Sequence, residues 1–104
     1  MEIDIPKFID AIVRGDYLES YRILTATNPV PAVCGRVCPY ESQCEGECTL
    51  LKIGESVAIG RLERFLADYE RKKGIKAPTK AKQPGKKVAI VGAGPAGLTC
   101  AGDL

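Results

Sequence analysis

Four cysteines within fifteen consecutive positions constrain this chain more than any other feature. Cys34, Cys38, Cys44 and Cys48 are spaced x3, x5 and x3, with Pro39 directly after the second. They lie in a stretch, residues 28–55, that Asn28-Pro29, Pro31, Gly35, Pro39, Gly46 and Gly54 punctuate, and the sequence predicts it to be irregular. So long a stretch without regular structure needs more than a hydrophobic core to fix it, and a bound metal centre would supply that. Thiolates are soft ligands that suit iron–sulfur clusters or zinc. Zinc sites usually pair tight knuckles across a longer spacer. The crowding here and the Cys38-Pro39 step are closer to cluster loops. On spacing alone a cluster is favoured, with zinc and unliganded structural cysteines left as alternatives. Glu41, Glu45 and Glu47 make the loop anionic, so no local help for thiolate formation is expected.

At 104 residues there is room for one small domain and little more. No apolar run approaches the roughly 18 residues of a membrane span. No basic region followed by an apolar stretch opens the chain, which argues against a secretory signal. Five cysteines in that setting predict a cytoplasmic protein whose thiols hold metal, not an extracellular disulfide scaffold. Charge is unevenly spread. Residues 1–70 hold seven basic side chains against twelve acidic ones, whereas residues 71–87 hold eight basic ones and no acid. The basic run reads as a solvated helix end and linker. A nucleic-acid arm is the weaker alternative, because no aromatic interleaves the lysines to stack on bases. Neither a nucleic-acid nor a membrane partner is expected.

Three amphipathic helices are expected. Ile5–Arg14 has Asp4 and Pro6 at its start, Gly15 at its exit, and an apolar face of Ile5, Phe8, Ile9, Ile12 and Val13. A second helix starts at Asp16, with Glu19 three residues on, and Asn28-Pro29 stops it. A third runs from Ser56 as N-cap to Lys73, with Gly74 as exit and a stripe of Ile59, Leu62, Phe65, Leu66 and Tyr69. Glu63 borders that stripe, one turn after Ile59, within reach of the cysteine loop. The expected core is Phe8, Ile12, Leu24, Ile59, Leu62, Phe65 and Leu66.

The fold class expected is mainly α. A helical iron–sulfur-type domain (1–73) leads through a Pro- and Lys-rich linker (74–86) to the start of a Rossmann-type domain (87–104). Val88–Val91 reads as a buried strand, followed by Gly92-x-Gly94-x-x-Gly97 and a nascent helix. The first glycine allows the tight turn, the second a close approach to pyrophosphate, and the third close packing of helix on strand. Gly92, Gly94, Pro95, Ala96 and Gly97 are the cofactor-binding candidates, for FAD or NAD(P) alike. Cys100 reads as a small buried apolar residue. The last helix is cut at Leu104, so a piece of a longer protein is expected. The strand, lacking sheet partners, would offer its edge to another chain and so to a homo-oligomer. Histidine is absent and no carboxylate pair stands out, so no catalytic residue is nominated.

Val33-Cys34-Gly35-Arg36-Val37-Cys38-Pro39, Cys44-Glu45-Gly46-Glu47-Cys48, Ile59-Gly60-Arg61-Leu62-Glu63 and Val88–Gly97, in that order, resemble the glutamate synthase small (beta) subunit family. That family includes the related subunit of NADH-dependent reduced ferredoxin:NADP oxidoreductase and the N-terminal part of dihydropyrimidine dehydrogenase. The resemblance covers nearly the whole chain. It implies two 4Fe–4S clusters in a helical domain and electrons passing from NADPH to FAD, then through the clusters to a large (alpha) subunit or other electron-acceptor subunit. It implies Cys38, Cys44 and the non-cysteine ligand Glu63 for one cluster and Cys48 for the other, with Cys34 supporting the loop. The family's further cysteine motif, upstream of the segment matching residues 1–6, is not in this chain. The 104 residues alone are therefore expected to be inert. The competing function is a zinc-stabilised helical module that docks a partner.

Overall fold

A computed structural model describes residues 3–74 and 85–104. Its elements are α1 (Ile5–Val13), α2 (Tyr17–Thr25), α3 (Pro31–Val37), α4 (Ile59–Lys73) and α5 (Pro95–Asp103), with short 3₁₀ turns at Tyr40–Ser42 and Thr49–Lys52. The start of α1 follows from its cap: the Asp4 carboxylate accepts from the Lys7 amide at 3.2 Å. Its end is a Schellman motif. Gly15, at φ +78°, lets its own N–H reach the Ile12 carbonyl and the Asp16 N–H reach that of Ala11, both at 2.9 Å. Asp16 at once caps α2 through the Glu19 amide at 3.1 Å. The hairpin is then tied by the buried Ser20 hydroxyl, which donates to the Phe8 carbonyl at 2.7 Å.

The core is Phe8, Leu24, Ile59 and Leu66, with Ile12 and Leu62 packed on its edge. Two expectations about α4 need correction. Ser56 is not its cap: the helix begins at Ile59 after Ala58, with no side-chain cap from its own segment. Phe65 is not in the core but 44% exposed. The buried face runs Ile59, Gly60, Glu63, Leu66, Ala67, so the stripe is rotated by about one residue and has a carboxylate at its centre. Phe65 instead stacks edge-on with Tyr17, centroids 5.2 Å apart, beside Tyr69.

The stretch 28–55 is less irregular than its prolines and glycines imply. Pro31 opens α3 at its first turn, where a missing N–H costs nothing. Gly35 sits inside α3 because a Cβ there would lie 2.7 Å from the Arg64 backbone nitrogen, so α3 and α4 meet backbone to backbone. Arg36 and Asp68 bridge the same pair of helices at 2.6 Å.

The expected Rossmann start is met only in its turn and helix. Among the described residues there is no strand; 85–94 carry none, because a single apolar run has no second strand to bond to. Cys100, expected to be buried, is exposed for the same reason: no sheet covers it. Most of the linker and of the basic run lies outside the described residues. No described helix is long and apolar enough to cross a membrane.

Phe8→Ala should cost about 3–5 kcal/mol, whereas Phe65→Ala should cost about 1 kcal/mol, reflecting only its aromatic contacts. Denaturant melts of the two variants give the comparison, and equal losses would put Phe65 back in the core. The Arg36 guanidinium holds the Asp68 carboxyl below its ordinary value. That contribution is present above about pH 3.9, the unfolded carboxyl's pKa, and is lost as pH falls through the lower folded value. Asp68→Asn should therefore flatten the acid limb of a melting-temperature profile between about pH 2 and pH 5.

Candidate metal centre

Asn28 organises the entry to the cysteine loop. It is buried, and its side-chain carbonyl accepts from the Val30 amide at 3.1 Å, a local turn that delivers the chain into α3. The same oxygen lies 3.6 Å from the Cys34 sulfur, which donates to it. Cys34 on α3 and Cys38 at its C-cap are four residues apart, so both thiols fall on one side of the helix. The chain then tightens around Tyr40, whose carbonyl accepts from Gln43 and Glu45 at 3.0 Å and from Gly46 at 3.3 Å. Gly46 is required there, because a Cβ would overlap the Glu41 carbonyl.

This folding puts Cys34, Cys38 and Cys44 on the wall of one cavity of about 280 Å³. Glu63 from α4 lines the same cavity, with Phe8, Asn28, Tyr40 and Ile59 among the remaining lining. The Glu63 side chain is 4% exposed, and the Tyr40 hydroxyl donates to its Oε2 at 3.1 Å. Burial raises the Glu63 carboxyl above its usual range, and the Tyr40 hydroxyl and Asn28 amide partly offset that. Burial likewise pushes up the Cys44 and Cys34 thiols. Tyr40 is driven up as well, by burial and then by the Glu63 charge. Groups held in this way favour their neutral forms until a cation arrives. A cationic centre would reverse that preference, drawing thiolate and carboxylate towards it.

Cys48 lies elsewhere, in a shallow hollow with Gly46, Glu47, Thr49, Leu51 and Lys52. Its thiol is lowered by backbone N–H groups, Val57 first and then Leu50 and Leu51. The acidic loop thus does assist one thiolate, contrary to expectation, through amides that residue charges do not reveal. Among the described residues, no three His, Cys, Asp or Glu side chains converge on a point fit for one metal ion. The cavity thiols instead line a wider space.

Two groups escaped the sequence reading. Tyr40 carried no signal beyond its place after Cys38-Pro39. Glu45, taken only as a charge, accepts from the Gly60 amide at 3.2 Å and is the missing cap of α4, supplied from the loop. Gly60 faces the Tyr40 ring so closely that a Cβ would overlap it. At the other end of the chain, Gly92 has φ +107°, and Gly97 packs where a Cβ would overlap the Gly92 carbonyl and lie 3.5 Å from the Ile90 side chain. Gly94 precedes α5, and Pro95 and Ala96 form its first turn. The loop therefore has the tight turn, with Gly97 close to Gly92, but not the packing of helix on strand that its glycine spacing predicts.

Residues 1–75 match the family model described as dihydropyrimidine dehydrogenase domain II, 4Fe-4S cluster. The chain belongs to this family. Its likeness to known proteins extends past residue 75 into the glycine loop. It is 45% identical over 101 residues to the Escherichia coli glutamate synthase [NADPH] small chain, covering 96% of this chain and 21% of that protein. It is 48% identical over 100 residues to a Geobacter sulfurreducens NADPH-Fe(3+) oxidoreductase subunit beta, covering 95% of this chain and 15% of that protein. The Moorella thermoacetica NADP(+)-dependent formate dehydrogenase subunit beta is 40% identical over 124 residues, covering 98% and 17%. The chain thus spans about a fifth or less of these relatives, all of them oxidoreductase subunits.

Gly60→Ala should displace the Tyr40 ring and cost about 1–3 kcal/mol through overpacking. Glu45→Ala should cost about 1 kcal/mol through the lost cap. Both are read from unfolding midpoints; an unchanged Gly60→Ala midpoint would mean that the ring does not rest on α4.

Proposed function

We propose that this chain is the electron-relay segment of an NAD(P)H-dependent flavin and iron–sulfur oxidoreductase subunit, most like the glutamate synthase small subunit. The observation that supports it is the shared cavity: three thiols of the cysteine loop and a carboxylate of α4 face one space inside a domain of a 4Fe-4S family. Cys38, Cys44 and Glu63 would hold one cluster, with the fourth ligand supplied by cysteines outside these residues. Cys48 would contribute to a second, and its three backbone amides suit a permanent thiolate there. Cys34 is engaged with Asn28 and supports the loop. When bound, such clusters supply one-electron transfer. The protein's own part is to orient the ligands, bury them away from water and fix their spacing from the flavin domain.

Gly92, Gly94, Pro95, Ala96 and Gly97 would form the pyrophosphate-facing loop of an FAD site in the full-length protein. The NADPH in the relatives' names supports it as the electron source, and the words small chain and subunit beta support a further subunit as partner, a large (alpha) or other electron-acceptor subunit. The setting is cytoplasmic, and the isolated 104 residues are inactive. A single zinc ion is the less favoured occupant, because the crowded cysteine spacing and the match to a 4Fe-4S family both favour a cluster.

The full-length protein should contain iron and acid-labile sulfide in equal amounts and be brown; a colourless, zinc-loaded protein would overturn the proposal. Glu63→Ala should alter the redox or spectroscopic properties of one cluster only. The 104-residue chain should show no saturable quenching of flavin fluorescence, because a pyrophosphate loop alone lacks the adenosine and ring sites. Micromolar binding there would show that the loop suffices.

A further inference from the structure

The Glu63 carboxylate stands at the centre of the buried face of α4, where a lone carboxylate would be strongly disfavoured. We infer that Tyr40 is its positioning residue, the phenol hydroxyl fixing Oε2 and so orienting the carboxylate for a metal centre in the cavity. This rests on the assignment of Glu63 as a ligand made above.

Three observations carry it. The Tyr40 hydroxyl donates to Glu63 Oε2 at 3.1 Å. The ring from which it projects is seated on Gly60, one turn before Glu63 on the same helix, in space that only glycine leaves open. The phenol and the carboxylate are therefore registered against one stretch of α4. The third observation concerns the backbone. The Tyr40 carbonyl gathers the amides of Gln43, Glu45 and Gly46, and Glu45 then accepts from the Gly60 amide. Tyr40 is thus tied to the loop that carries Cys44 and, twice over, to α4. Moving the ring would shift a thiol and the carboxylate together.

Asn28 does not substitute for it. Its carbonyl is already occupied by the Val30 amide and the Cys34 thiol. Its amide end is a second polar partner of Glu63, but none of its hydrogen bonds reaches the segment that carries Cys44. Tyr40 is the group that links both candidate ligands.

A hydrogen bond donated to an anionic ligand drains charge from it, and so favours the electron-rich, reduced state of the centre it binds. Removing the hydroxyl should make that centre harder to reduce. It should also let the carboxylate swing, making the centre easier to lose. The experiment compares wild-type, Tyr40→Phe and Glu63→Gln forms of the full-length holoprotein. Tyr40→Phe keeps the ring on Gly60 and removes only the hydroxyl. Midpoint potentials come from a redox titration followed by electron paramagnetic resonance, and lability from the rate of iron release to a chelator. Tyr40→Phe should lower the potential of one cluster alone and speed its release roughly 10-fold, with an unchanged helical circular dichroism spectrum.

If Glu63→Gln leaves potential and spectrum untouched, the ligand assignment fails and this inference falls with it. If Glu63→Gln shifts them while Tyr40→Phe does not, the ligand assignment stands and the role of Tyr40 is wrong. Equal shifts of both clusters in Tyr40→Phe would mark a general loosening of the domain and also overturn it.

Discussion

A buried carboxylate is the constraint on which the arrangement of this domain depends. Glu63 occupies the middle of the α4 face that a purely apolar helix would give to leucine. Burying an acid there is costly unless polar groups meet it. The loop from Asn28 to Cys48 is folded so that they do: a phenol from one turn, a buried amide from another, and thiols facing across a cavity. The small apolar core of Phe8, Leu24, Ile59 and Leu66 holds the helices, but on its own it gives no reason for the loop to fold as it does. The polar groups around Glu63 supply that reason.

Close backbone approach makes the arrangement possible. Gly35 lets α3 lie against the Arg64 backbone, and Gly60 lets an aromatic ring lie on α4. Each admits a neighbour where any side chain would hold it off. The exchange of caps has the same character. The first residues of α4 are satisfied not from their own segment but by Glu45 of the loop, so helix and loop stabilise each other. A domain assembled in this way resists partial folding, since neither half has all its hydrogen bonds without the other.

Membership of a 4Fe-4S family gives the cavity its meaning. Thiols raised by burial and a carboxylate raised by burial are poor occupants of an empty pocket, and become good ligands once a cation compensates them. Cys48, lowered by backbone amides and set apart from the cavity, belongs to a different environment. The fifteen residues of the cysteine loop thus present their thiols in two different environments.

Much of this was legible in the order of residues. Asp4, Gly15 and Asp16 fix the first hairpin because capping and left-handed exits are local chemistry, decided within a few positions. The cysteine spacing marked a metal-type loop, and the glycine spacing at 92–97 marked its turn, for the same reason. Three other features were not legible. α3 hid behind Pro31 and Gly35, which read as breakers until a neighbouring helix explained them. Phe65 and Glu63 exchanged roles, because the apolar stripe of α4 suggested one rotation and the loop imposed another. The run Val88–Val91 has strand composition but no strand, since β structure is made between segments. What the sequence alone determined is whatever a residue decides with its near neighbours. Which carboxylate is buried, which phenol meets it and which amide lowers a thiol were decided only when distant segments packed, because burial and hydrogen-bond partnership are properties of the pair.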